Sequence, residues 1–278
     1  DRIYILARSI PDCDINIATY YPTAFAVYKS NKGKMFYCIQ HDETFFVHDP
    51  AEKKNVKKSY QLPLRPFVVS YWLKDLIEKE SGQKITYVGS ASNQEIFFPQ
   101  NNKQERTVSA ILRGISWKGD EELIKAYSQI SQKFKDVRLR IVGNEQSARQ
   151  LMKKNNFDFK IEFFMNLSNP ELAEFYSSST VFLFVSHIEG FGVPPLEAMG
   201  CGTACVITDC MGTRDYAINN KNSLVVPIKD VDKITDATLK LLLKKDFRKK
   251  IEINAIKTAK NWRWKNVVIR MEKIFNEK

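Results

Sequence analysis

From residue 107 to residue 226 the chain repeats one pattern: a short apolar run of strand length, a glycine or polar break, then a stretch of helical period. Runs at 107–112, 137–142, 160–164, 180–186, 204–208 and 223–226 predict strands, and the intervening 121–134, 146–154, 170–178 and 194–199 predict helices. Further helices are expected from about Val231 and Asp246, and over 262–275. Strands that alternate with helices imply parallel sheets covered by helices on both faces, with ligands at the carboxyl ends of the strands. Arg113, Gly143 and Glu189 all fall at such ends. The earlier part alternates too, with strands expected at 3–7, 15–18, 35–40, 67–70 and 85–88 and helices at 22–30 and 71–79. A polar stretch containing Asn93, Pro99 and an Asn-Asn pair reads as a linker. The expected organisation is an α/β chain with an N-terminal Rossmann-like domain at 1–89, a linker at 90–105 and a second domain at 106–261. A final helix is expected at 262–278.

At 278 residues, 44% of them apolar, the chain is long enough for two cores. No apolar run approaches the roughly 20 residues of a membrane-spanning helix, and no signal-type stretch opens the chain, which starts at Asp1 rather than Met. The net charge of +11 asks for an anionic partner. Nucleic acid is the weakest candidate, because the lysines are dispersed and neither zinc-finger spacing nor an RNP-like aromatic block occurs. Contact with acidic lipid headgroups fits better, with Lys53 to Lys58 and Lys244 to Lys250 as candidate clusters. The five cysteines, Cys13, Cys38, Cys201, Cys205 and Cys210, read as reduced core residues of a cytoplasmic protein. They form no Cys-x-x-Cys pair and lie away from histidine in any ligand spacing, so no metal site is expected. Asp12-Cys13-Asp14 and Asp230-Val231-Asp232 match a metal-holding Asp-x-Asp only formally, the first at a turn and the second at a helix start where Asp caps.

Chemistry concentrates in Glu189-Gly190-Phe191-Gly192-Val193-Pro194-Pro195-Leu196-Glu197. A buried strand, a glycine turn and a helix start make an anion site: the helix dipole is positive there, and Gly190 and Gly192 let backbone approach a phosphate. Glu189 in the loop and Glu197 one turn into the helix are two acceptors for hydroxyl groups. Upstream, Arg113-Gly114-Ile115-Ser116-Trp117-Lys118-Gly119-Asp120 follows the 107–112 strand and presents a guanidinium and an ammonium, suited to a leaving diphosphate that gains charge as its bond breaks.

The stretch from Ser186 to Thr203 resembles the E-x7-E block of the retaining glycosyltransferases of family 4 (group 1), in residue types as well as spacing, and Arg113 to Gly119 resembles the same family's Arg-x4-Lys-Gly turn. Val142-Gly143 and Asn166-Leu167-Ser168-Asn169-Pro170-Glu171-Leu172 also sit where that family's pattern places them. The resemblance implies a GT-B arrangement of two doubly wound domains, the second holding a nucleoside-diphosphate sugar and the first the acceptor, with the final helix at 262–278 crossing back to the first. It implies transfer with retention of anomeric configuration, without a metal or cofactor, to a polysaccharide or lipid-linked acceptor at the inner face of the membrane. Arg113, Lys118 and the N–H groups of Gly190, Phe191 and Gly192 would hold the diphosphate. Glu189 would contact the transferred sugar, and Glu197 the ribose, since a carboxylate accepts from two vicinal hydroxyls.

The first domain departs from the pattern. It is short, and it has no glycine before Gly33, hence no glycine-rich first loop. The chain is thus expected to be a piece of a longer one, or to carry a reduced acceptor domain. Its Tyr37-Cys38-Ile39-Gln40-His41 resembles the family's strand ending in a histidine near the donor sugar, which makes His41 the candidate for orienting sugar or acceptor; a histidine merely capped by Asp42 or Glu43 is the competing reading. His48 and His187 are expected to be structural. UDP, GDP and dTDP donors all stay open, because the base is expected against backbone near Gly143 and Met165. A non-catalytic nucleotide-sugar-binding or assembly subunit of the same fold is the alternative that the short first domain favours.

Overall fold

The computed structural model describes residues 2–100 and 102–277; Asp1, Lys278 and Asn101, one half of the Asn-Asn pair in the expected linker, lie outside the described residues. The chain divides into two compact units, residues 1–90 with 265–278, and residues 91–264.

The first unit begins with a difference from expectation. Residues 3–7, read as a strand, lie in helix α1 (Arg2–Ser9). A five-residue apolar run is ambiguous between strand and helix, and here Ile3, Ala7 and Ile10 form the covered face while Ile5 is 68% exposed. Then follow β1 (Ile15–Ala18), α2 (Tyr21–Ser30), β2 (Lys34–Ile39), α3 (Pro50–Ser59), β3 (Arg65–Val68), α4 (Tyr71–Ser81) and β4 (Thr86–Tyr87). Helix α3 was not expected, because only Val56 and Ser59 are buried and no apolar period shows. Its start is chemically plain: the Asp49 side chain accepts from the Ala51 N–H at 2.9 Å, with Pro50 in the first turn. The four strands are parallel and lie in chain order, β1-β2-β3-β4. Successive crossovers of one hand place α2, α3 and α4 on one face, where Tyr37, Ile39 and Val68 join their core. The alternate residues Phe36 and Phe67 face the other way, onto Ile274 and Phe275 of the last helix.

In the second unit β5 (Thr107–Leu112), α5 (Asp120–Lys133), β6 (Arg138–Gly143), α6 (Glu145–Lys154), β7 (Glu162–Phe164), α7 (Asn169–Ser177), β8 (Val181–Phe184), α8 (Val193–Gly200), β9 (Ala204–Thr208), β10 (Leu224–Val226), α9 (Val231–Leu243) and α10 (Lys245–Asn261) precede α11 (Trp264–Asn276), which rejoins the first unit. The six parallel strands run β10-β9-β8-β5-β6-β7. Strand order therefore grows outward from β5 in both directions, and the chain reverses direction between β5 and β8. Such a switch point opens a crevice at the carboxyl ends of the two central strands. The strands were legible because they are buried on both faces: β8 and β9 are buried at every position.

Residues 91–105 lie along the second unit. Gln100 N–H donates to Ser177 Oγ at 2.7 Å, Gln104 N–H to Ser178 O at 2.9 Å, and Lys103 pairs with Glu252 at 2.8 Å. Within the basic cluster Lys244 to Lys250, Arg248 is 3% exposed and binds Glu105 at 2.8 Å, so it is withdrawn from any surface contact. Asp230 caps α9 by accepting from Lys233 N–H at 2.9 Å, as its position suggested. Cys201, Cys205 and Cys210 are buried, but Cys13 is exposed, contrary to its reading as a core residue. No helix among the described residues is long and apolar enough to cross a membrane.

Candidate functional site

Both motifs line the crevice at the switch point, one from each central strand. After β5 the chain makes a tight turn, Arg113 to Gly119, closed by a carboxylate: Asp120, the first residue of α5, accepts N–H groups from Gly114 at 2.6 Å, Ile115 at 3.0 Å and Arg113 at 3.4 Å. Trp117 O accepts the His187 N–H at 2.8 Å, docking this turn against the chain leaving β8. Gly119 has φ +75°, and a Cβ there would lie 2.0 Å from Val185 O. Gly119→Ala is therefore expected to cost about 2–3 kcal/mol of strain and to lower Tm by roughly 5–10 °C in a domain of this size, a shift that calorimetric melting measures.

After β8, Glu189 is held at both ends. Its N–H donates to Cys210 O at 2.9 Å, and its carboxylate, 6% exposed as a residue, takes the Lys118 ammonium at 2.8 Å. Burying a carboxylate is costly unless a cation pairs with it. Lys118 is that cation. Gly192 caps α8 with φ +81°, and Tyr216 OH donates to its carbonyl. The Phe191 ring packs on Tyr216 and Trp262, each with centroids 5.3 Å away, so its side chain is turned into the core. The anion-site reading also needs amending at α8: Pro194 and Pro195 occupy the first turn and have no N–H. The dipole of α8 is positive at this end.

Glu197 follows one turn on, half-buried, accepting from Tyr176 OH at 3.4 Å. Burial pushes its carboxyl up to about 7, against the pull of the Tyr176 bond and the Arg113 charge. Lys118 is thus ion-paired with Glu189, and the Arg113 charge acts on Glu197. Because the folded-state pKa of Glu197 lies above the unfolded value of 4.5, its contribution to stability is complete at low pH and is lost as pH rises through 7. Urea titrations should show this as about 2 kcal/mol between pH 5 and 8, a slope that Glu197→Gln reduces.

Beside the crevice, at the carboxyl ends of β6 and β7, lies a cavity of about 810 Å³ lined by Gly143, Asn144, Met165 and Asn166, with Arg149 and Lys153 at its side. Gly143 is required there, since a Cβ would sit 2.1 Å from Leu112 O. His187 places Nε2 3.2 Å from Glu122 Oε2, joining α5 to the segment after β8.

His41 belongs to the first unit, at the carboxyl end of β2, its ring edge-on to Phe46 at 5.3 Å. The neighbouring acids are engaged: Asp42 accepts from Thr44 N–H and from Tyr60 OH, both at 3.0 Å, and Glu43 accepts the Tyr21 N–H at 3.0 Å. Burial pushes Glu43 up to about 7. The sequence reading missed Asp120, Tyr176 and Tyr216. Asp120 was on view beside Lys118-Gly119; the two tyrosines, distant in sequence, gave no local signal.

The family model described as "Glycosyl transferases group 1" matches residues 92–258. The chain belongs to the group 1 glycosyltransferases. Among curated relatives it is 27% identical over 201 residues to the capsular polysaccharide biosynthesis glycosyltransferase CapM of Staphylococcus aureus, an alignment covering 64% of this chain and 51% of CapM. It spans about half the length of the curated relatives it matches first. Its fold is that of solved GT-B structures: TarM, with TM-score 0.84 and 17% identity over 99% of this chain and 57% of TarM, and Anabaena HepE in complex with UDP-glucose, with TM-score 0.83 and 14% identity over 98% of this chain and 80% of HepE.

Proposed function

We propose that this group 1 chain transfers a sugar from a nucleoside-diphosphate sugar to a saccharide or lipid-linked acceptor, as a family 4 enzyme that retains anomeric configuration and uses no metal. The observation that carries the reading is the meeting of the two motifs in one buried pair, Lys118 with Glu189 at 2.8 Å, with the Arg113 charge acting on Glu197. In the proposed reaction the bond from the anomeric carbon to the diphosphate breaks and the bond to the acceptor oxygen forms on the same face. The acceptor proton passes to the departing phosphate, so no covalent nucleophile is needed. Arg113, Lys118 and the amides of Gly190, Phe191 and Gly192 stabilise the charge that gathers on the diphosphate. Glu189 binds the sugar, Glu197 the ribose hydroxyls, and His41 orients sugar or acceptor. The cavity by Gly143 and Met165 takes the base. CapM's role in capsular polysaccharide biosynthesis and the UDP-glucose complex of HepE support the substrate classes. A net charge of +11 suits a cytoplasmic enzyme meeting the acidic inner face of a membrane.

The test is proton NMR of the products formed from α-configured UDP-, GDP-, dTDP- and ADP-sugars with a lipid-linked saccharide extract, with and without EDTA. An α-glycoside formed equally well under chelation is expected. A β-glycoside, or product formed only with added metal, would refute retention or metal independence respectively.

A further inference from the structure

Three consecutive amides after β5, those of Arg113, Gly114 and Ile115, point at one place. Converging backbone N–H groups of this kind form an anion-binding concavity, and in a chain read as holding a diphosphate they would be the natural phosphate cradle. Here the cradle is filled by the chain itself. Asp120 is 5% exposed, with Oδ2 2.6 Å from Gly114 N and 3.0 Å from Ile115 N, and Oδ1 3.4 Å from Arg113 N. The general preference for acids in the first turn of a helix does not explain this. The next two acids of α5 turn away from the amides, Glu121 to Lys125 and Lys154, Glu122 to His187. Asp120 alone is drawn back over the turn and buried, which for a carboxyl is unfavourable unless hydrogen bonds compensate.

We infer that Asp120 is a positioning residue for Arg113: its carboxylate occupies the amides of the turn and thereby fixes the direction in which the guanidinium leaves the end of β5. This rests on the donor-site reading above. Two consequences follow from the geometry. The amides at 113–115 are committed to Asp120, so affinity for diphosphate at this strand end depends on side chains, those of Arg113 and Lys118. The turn also calls for glycine at 114, where φ is +78°.

The experiment is a double-mutant cycle read by calorimetry with UDP and UDP-glucose, replaced by the GDP, dTDP or ADP pair if one of those is the nucleotide bound. Arg113→Met and Asp120→Ala are each expected to raise Kd about tenfold, and the double variant to bind no more weakly than Arg113→Met alone, the coupling being typical of residues that act as a unit. Asp120→Asn, whose amide oxygen still accepts from two of the three N–H groups, should fall between wild type and Asp120→Ala; it carries the same cycle if Asp120→Ala does not fold. Hydrogen exchange at Gly114 and Ile115, slow in the wild type, should accelerate in Asp120→Ala. Losses that multiply in the double variant, or an Asp120→Ala protein that melts lower but binds as tightly as wild type, would overturn the inference and leave the donor-site reading standing. A wild-type chain that binds none of the four nucleotides would overturn both.

Discussion

Glu189→Gln is expected to abolish sugar transfer while changing nucleotide affinity by no more than a few-fold. The amide keeps the size of the carboxyl group and leaves the Cys210 contact of the backbone untouched, so the substitution removes one charge, the one paired with Lys118. In the proposed mechanism that charge faces the sugar as positive character develops at the anomeric carbon, an interaction stronger in the transition state than in the ground state, and its loss should appear in kcat. A fall of about 10²–10³ or more is the scale for one preorganised electrostatic group. Glu197→Ala should do the opposite, weakening nucleotide binding by about tenfold through the ribose with a smaller effect on kcat. Paired measurements of kcat and of Kd for the nucleoside diphosphate check both; equal and small effects from the two substitutions would contradict the roles given to them.

Lys118→Met has the largest expected effect on stability among single changes in the crevice. It leaves the Glu189 carboxylate buried without its 2.8 Å partner, and breaking a buried pair from one side costs about 3–5 kcal/mol; the partial exposure of Lys118 places the expectation at the lower end, about 3 kcal/mol. Adding Glu189→Gln to Lys118→Met should recover much of that loss, because the uncompensated charge is gone. Urea unfolding of the two single variants and the double variant gives the comparison directly. Additive losses would mean that the pair contributes nothing as a pair.

These expectations rest on contacts that the sequence carried unevenly. The strands of the second unit were readable because continuous burial writes an unbroken apolar run, as in Val181 to Phe184, between a helix and a glycine break. With them came the positions of Arg113 and Glu189 at strand ends, and so the crevice. Helix α1 was not readable, since five apolar residues hold less than two helical turns, and α3 was not, since one helical face with only Val56 and Ser59 buried shows no period. Pairings across the crevice lay beyond local pattern. Lys118 and Glu189 are 71 residues apart, and nothing in either motif indicates which cation meets which carboxylate. Asp120 was hidden for a different reason: an acid after a glycine at a helix start already has an ordinary explanation in the dipole, and only the three converging amides show that it does more. Phe191 shows the reverse case, a residue inside the glycine turn whose ring packs inward on Tyr216 and Trp262.

Calorimetric titration of the purified chain with UDP, GDP, dTDP and ADP, each with and without EDTA, tests the central claim most directly. Micromolar binding of one of the four, unaffected by chelation and weakened about tenfold in Arg113→Met, is the predicted result. Binding of none, or binding that disappears with EDTA, would contradict a metal-independent donor site between the ends of β5 and β8.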